Sequence, residues 1–229
     1  MPSAFPRSPK LLKGALVVYP SQDPMGTPKV IVFQFNPNQL SRSFEKRAIE
    51  SEGGNVGGAQ QDVLRALGPP IETISLTVEL NTADQLAEPN SHPLVAEHGL
   101  HPVLATLEML LYPSNAQVLQ NEALAAEGEV QLSPADLPLT LLVWGKNRVV
   151  PVLLKSFSVT EKAFDQNLNP AVADVALTLQ VLTYMELQSD SQGRDLYVAF
   201  QSQKETLAGQ YQSDNEASQR VSSLLPNRS

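Results

Sequence analysis

The chain contains no cysteine, which excludes disulfides, thiolate nucleophiles, Cys-type zinc sites and iron–sulfur clusters together. Aromatic residues are scarce at 6 % of the total, with a single Trp, and there are only three His. No run approaches the roughly 18 consecutive apolar residues that a membrane-spanning helix needs. Bases are missing over a long stretch: residues 66–140 hold ten acids, from Glu72 to Asp136, and no Lys or Arg. Motifs are missing too. There is no GxSxG, no P-loop and no GxGxxG, and no nucleophile with a neighbouring base. The paired carboxylates Asp84/Glu88 and Glu127/Glu129 fall in loop-like sequence, with nothing to separate their pKa values as acid–base catalysis requires.

What is present is a chain of 229 residues with 16 Lys+Arg against 24 Asp+Glu, a net charge of −8. One body of this size buries roughly 70 % of its unfolded surface, enough for a substantial core. The acidic balance argues against nucleic acid as a partner, because phosphate neutralisation needs clustered Lys and Arg. The charge is uneven, since residues 1–50 carry seven bases and three acids ahead of the base-free acidic stretch. Blocks this lopsided suggest two faces of opposite sign, which can steer and register neighbouring subunits; the alternative reading is that both are solvated surface. Residues 1–10 hold three Pro with Arg7 and Lys10 and lack the apolar run of a signal peptide, which predicts a cytoplasmic protein.

The patterning is mainly that of strands. Lys10–Tyr19 and Lys29–Phe35 are apolar runs separated by a Pro/Gly/Asp cluster, which reads as a hairpin. Ser41–Ile49 is a weaker strand. Ile74, Leu76, Val78 and Leu80 alternate with polar residues, as do Val175, Leu177, Leu179 and Val181, the period of a half-buried strand. Leu139–Trp144 and Arg148–Thr160 flank a turn at Gly145–Asn147. One central helix is expected after Pro102, with Val103, Leu107, Leu110 and Leu111 on its apolar face. A second, near Ala123–Ala126, is weak. Glu52–Gln61 contains Gly53, Gly54, Gly57 and Gly58 and reads as a flexible arm. The expected organisation is a flexible N-terminus at 1–9, one β domain at 10–187, and a polar C-terminal extension at 188–229, helical around Leu196–Leu207 or disordered.

His92, His98 and His101, with Glu97 and Glu108 nearby, can be drawn as the site of a His-dependent metalloenzyme. The spacing is not HExxH, and Gly99 and Pro102 keep His98 and His101 from sharing an established helix face. Polar loop residues leading into the helix are the preferred reading. Phe33, Phe35, Phe44, Phe157 and Phe164 could stack on bases, but on strands of an acidic chain they read as core. Trp144 ends an apolar run and reads as core or a strand-end anchor.

Several pieces in order resemble one family. Lys10–Val18 leads into Val32–Pro37, whose Phe35, Asn36 and Pro37 form an FNP turn, followed by Gln39–Arg42. Then come the strand Pro69–Glu79, the GLHP segment Gly99–Glu108 with Tyr112 and Pro113, and Pro138–Gly145 with its Trp-Gly pair. Last is Phe157–Leu182, containing Phe164 and Leu168–Pro170. Over about residues 10–185 the chain is similar to the tube-type proteins of phage-tail-like contractile injection systems, including the tube-initiator or baseplate-adaptor component of antifeeding-prophage-type particles. The resemblance implies a mainly β (α+β) fold: an antiparallel, tail-tube-like β-barrel or sandwich with one central α-helix and a polar C-terminal extension. It implies a structural, non-enzymatic ring component without cofactor or metal, assembled as a hexamer between inner tube and baseplate hub or spike, in a cytoplasmic particle and without membrane insertion. A tube terminator or an effector-binding adaptor is the alternative. Initiator-type members often continue into a LysM-like module, and residues 186–229 show no such repeat.

On this reading the subunit-interface candidates are Phe33, Phe35 and Asn36 as a ring-contacting hairpin. Arg42, Lys46 and Arg47 form a basic patch meeting an acidic neighbour, and Gly53, Gly54, Gly57 and Gly58 form the arm.

Overall fold

Where apolar and polar residues alternate most regularly, the chain builds its longest strands. The computed structural model describes residues 12–19, 27–47, 67–112, 115–126 and 137–211. In order, these form β1 (Ala15–Tyr19), β2 (Lys29–Val32), β3 (Leu40–Glu45), β4 (Ile71–Asn81), α1 (Ala83–Leu86), α2 (Pro93–His98), α3 (His101–Glu108), α4 (Asn115–Ala126), β5 (Leu139–Val143), β6 (Val149–Phe164), β7 (Pro170–Val181) and α5 (Gln192–Gly209). The strands make one seven-stranded sheet in the order β2-β1-β5-β6-β7-β4-β3, with every neighbouring pair antiparallel. The mainly β expectation holds, and so do the hairpins β1–β2 and β5–β6. The latter turns through Gly145 at φ +72°, a left-handed conformation that glycine adopts without steric cost.

Register places the alternating apolar residues on one face. Leu16 stands opposite Leu142, Leu142 opposite Val150, Leu154 opposite Leu179, and Leu179 opposite Ile74, and all six are buried in one cluster. The other face of β4 and β7 shows Thr73, Ser75, Thr77, Ala176 and Thr178. The sequence period of two therefore translates directly into a one-sided core.

The sheet is curled but not closed. Phe33 donates its backbone N–H to the Gly14 carbonyl at 2.8 Å, beside β1. The side-chain oxygen of the next residue, Gln34, accepts from Asn81 N–H of β4 at 2.9 Å. In a flat sheet β1 and β4 would stand about 19 Å apart, too far for two successive residues to reach both. The 33–39 link thus draws the two sheet edges toward each other, while no ladder joins β2 to β3 among the described residues.

Helices cover the concave face. Leu100, Leu104, Leu107 and Leu110 join the core, so α3 is rotated from the expected face: Val103 is only partly buried and Leu111 is exposed. The winning set also follows helical spacing, and it is the one facing the apolar ends of β4 and β7. The expected central helix is present as α3, the segments read as helical near Ala123–Ala126 and Leu196–Leu207 lie in α4 and α5, and α1 and α2 are further helices among the described residues. The His92–His101 segment, expected as loop, contains α2 and the start of α3. The polar extension begins with an 18-residue helix, α5. Its N-cap Ser191 accepts from Arg194 N–H, and its Tyr197 and Phe200 enter the same core as the strands, so residues up to Gly209 belong to the domain body. Two aromatic side chains among many Gln and Ser are enough to dock it.

Candidate functional site

The sequence-nominated residues divide into those the fold uses internally and those it displays. Phe33 is 1 % exposed, packed 6.4 Å from the ring of Trp144. Its neighbour Phe35 points outward and is 52 % exposed. Asn36 is a clamp: its Oδ1 accepts from Gly14 N–H at 2.9 Å and its Nδ2 donates to the Leu12 carbonyl at 2.9 Å. Of the three hairpin residues, only Phe35 offers an aromatic surface to another molecule. The five phenylalanines split likewise, Phe33 buried and Phe157 partly so, while Phe35, Phe44 and Phe164 are about half exposed.

The basic patch is engaged inside the chain. Arg42 Nε donates to Glu72 Oε1 at 2.7 Å, and its guanidinium lies 4.8 Å from the centre of the Phe44 ring. Arg47 donates to the Pro69 carbonyl at 2.9 Å and pairs with the Glu186 carboxylate. Lys46 is exposed. The glycine arm, Gly53, Gly54, Gly57 and Gly58, lies outside the described residues, as do Glu127 and Glu129.

Glu72 is the centre of a charged cluster that sequence reasoning missed. It is 3 % exposed and faces the concave side of β4, in register with Phe44. Besides Arg42 it receives Lys204 Nζ of α5 at 3.2 Å. Lys204 also lies 4.2 Å from the centre of the Phe200 ring. Arg148, at the start of β6, joins from the β5–β6 turn: burial and the neighbouring Arg42 lower its pKa, opposed by Glu72. The turn is braced to α5 by Gln203 Nε2 donating to Asn147 Oδ1 at 3.0 Å. No periodic pattern announces this cluster, because its members come from four elements far apart in sequence. The one available signal was a Glu at a core-phase position of β4.

The β6–β7 hairpin tip is a second displayed feature. Asp165 carboxylate oxygens accept from Asn167 N–H at 2.7 Å, Asn169 N–H at 2.8 Å and Asn169 Nδ2 at 2.9 Å. Within this turn Leu168 has φ +64° and is 78 % exposed. A bulky residue in the left-handed region is strained, and here it gains no burial within the chain.

The backbone edges matter most. β5 pairs only with Val149–Val152 of the 16-residue strand β6. From Leu153 to Phe164 the opposite edge of β6 has no strand beside it among the described residues. β3 forms the other margin of the sheet. Both edges present unpaired N–H and C=O groups to an incoming strand.

Among the described residues no group of three or more His, Asp or Glu side chains could hold a metal ion. His98 Nε2 approaches only Glu97, at 3.8 Å. The grooves are open rather than enclosed. A representative one, of about 560 Å³, lies between Gln34, Leu80, Leu94 and Val103 and contains no nucleophile–base pair. No helix of the described residues is long and apolar enough to cross a membrane. The geometry defines a mainly β protein whose seven-stranded sheet is not closed. Neither a protein-family model nor a curated protein matches the chain.

Proposed function

We propose that the chain is a structural ring component of a phage-tail-like contractile injection system, joining the inner tube to the baseplate hub or spike as a tube initiator or adaptor. The observation that supports it best is the free edge of β6 from Leu153 to Phe164, together with the β3 margin on the other side of the sheet. An edge on each side lets identical subunits add head to tail, and a heterologous contact of that kind closes into a ring when its rotation permits. A hexameric ring would continue the curled sheet from subunit to subunit and complete the barrel that one chain leaves open. Phe35 and Leu168, both exposed, are contact points toward the rings above and below. The protein in this reading performs no catalysis and works in the cytoplasm as part of the particle, with itself, the inner-tube protein and the hub as partners.

The test is cryo-EM of particles purified from cells carrying a tagged copy, with native mass spectrometry of the isolated protein. A closed ring between tube and hub is expected. A protein found only as a free monomer and absent from every particle overturns the proposal. A ring found at the far end of the tube would make it a terminator instead.

A further inference from the structure

The charged cluster around Glu72 does not balance. Arg42 and Lys204 pair with the one carboxylate of Glu72, which is 3 % exposed. Arg148, next to the Asn147 that Gln203 of α5 holds, adds a third positive charge among the described residues, close enough for the charges of Arg42 and Glu72 to act on it. Arg42 and Lys204 divide the two Glu72 oxygens between them and each also lies over an aromatic ring. Arg148 has neither. Among the described residues its guanidinium, with five donors, makes no side-chain hydrogen bond or ion pair, although it is only partly exposed. Burial and the like charge of Arg42 both disfavour its protonated form, which an added anion would reverse. The Gln203–Asn147 bond ties α5 to the turn beside Arg148, next to Lys204 on the helix.

We propose that this cluster is an oxyanion site, filled in the assembled protein by a carboxylate of a second copy of the chain. The source follows from the charge distribution: residues 66–140 hold ten acids and no base, and Asp84, Glu88, Glu97, Glu108 and Glu122 are all exposed. Glu72 and Asn81 lie at opposite ends of β4, about 30 Å apart at the rise of a strand, and α1 with Asp84 follows directly. Basic cluster and acidic surface therefore occupy different ends of the molecule, and the contact between copies is head to tail. The choice of a second copy rests on the ring reading, whereas the oxyanion chemistry does not.

The experiment uses the full chain and two readouts. Inorganic phosphate is titrated at constant ionic strength while the melting temperature is followed, and self-association is measured by sedimentation. Wild-type protein is expected to gain stability saturably with phosphate, and phosphate is expected to weaken association. Arg148→Gln is expected to lower apparent phosphate affinity and self-association about tenfold each, the scale of one charge-assisted contact. Its phosphate-free melting temperature is expected to stay level or rise, since burial and the like charge of Arg42 oppose the charge that has been removed. Arg148→Lys keeps part of both responses, and Lys146→Gln, two residues away and exposed, keeps all of both. Arg148→Gln responding to phosphate like wild type overturns the site. A phosphate response lost in Arg148→Gln without any change in association overturns the second copy as its source. Absence from particles sinks the ring reading and leaves the phosphate result standing.

Discussion

Asn36 holds Gly14, 22 positions away in sequence, accepting its N–H at 2.9 Å while Phe33 returns a hydrogen bond to the Gly14 carbonyl. Gly14 is also where the Phe33 and Trp144 rings come closest to the backbone. A Cβ there would stand 2.6 Å from the Trp144 ring and 2.8 Å from Phe33. We expect Gly14→Ala to destabilise the fold by about 2 kcal/mol, in the range of overpacking. Asn36→Ala, which orphans two backbone groups, should cost about 2 kcal/mol. Urea denaturation measures both, and an unchanged midpoint for either refutes the clamp.

Phe33 and Phe35 should separate stability from assembly. Phe33→Ala is expected to cost about 3–5 kcal/mol, the scale of a buried aromatic. Phe35→Ala is expected to change the unfolding midpoint little and to reduce incorporation into particles. If Phe35→Ala particles form at wild-type yield, Phe35 has no contact role.

Leu168 should be removable with profit to the monomer. Leu168→Gly relieves the left-handed strain and is expected to stabilise the isolated chain by up to about 1 kcal/mol. The Asp165 hydrogen bonds persist, because they go to Asn167 and Asn169. Strain kept at an exposed apolar tip has its use elsewhere, so the same variant should assemble poorly. A variant that is more stable and assembles normally would show that the tip is not a contact.

Acid should loosen the Arg47–Glu186 corner and the hairpin tip. Burial pushes the Glu186 carboxyl up, but the Thr183 hydroxyl and N–H and the Arg47 guanidinium outweigh it and hold the carboxyl below its ordinary 4.5. The Asn169 side chain chiefly holds Asp165 below its ordinary 3.8. Both folded-state values are depressed, so the stabilisation is present above the unfolded values and is lost as pH falls through the folded ones. The urea midpoint should fall below about pH 4.5, and Thr183→Val, which removes the hydroxyl donor, should flatten that fall. A Glu186 carboxyl titrating by NMR at its ordinary value would refute the assignment.

Much of the sheet was legible because burial writes itself into a strand with period two. Ile74 to Leu80 and Val175 to Val181 show the alternation without interruption, and the structure pairs these two strands. The turn at Gly145 was legible from glycine chemistry. The helices were harder. α2 begins at Pro93 in a segment with no buried residue, and α5 buries only Tyr197 and Phe200 of its large apolar side chains, with Gln203 and Lys204 adding polar contacts, so neither shows an apolar stripe. The face of α3 was misjudged because two leucine sets satisfy the same helical spacing, and only the position of the sheet chooses between them. The displayed residues were least legible. Phe33 and Phe35 stand two positions apart, which on a continuous strand would put both on one face, yet β2 ends at Val32 and the chain bends at Gln34 and Phe35, so one enters the core and the other faces solvent. Of the Glu72 cluster only the acid at a core-phase position of β4 showed in the sequence, since long-range charge convergence leaves no local pattern.

The open edge of β6 bears Lys155, Glu161 and Lys162, and Lys162 is joined to Asp174 at 2.6 Å. Charges at such a margin discourage indiscriminate strand addition. A bare edge would make each newly synthesised subunit a seed for fibres. On the ring proposal, the same charges keep the unassembled chain from pairing at random, and strand addition would wait for a partner of matching charge and register.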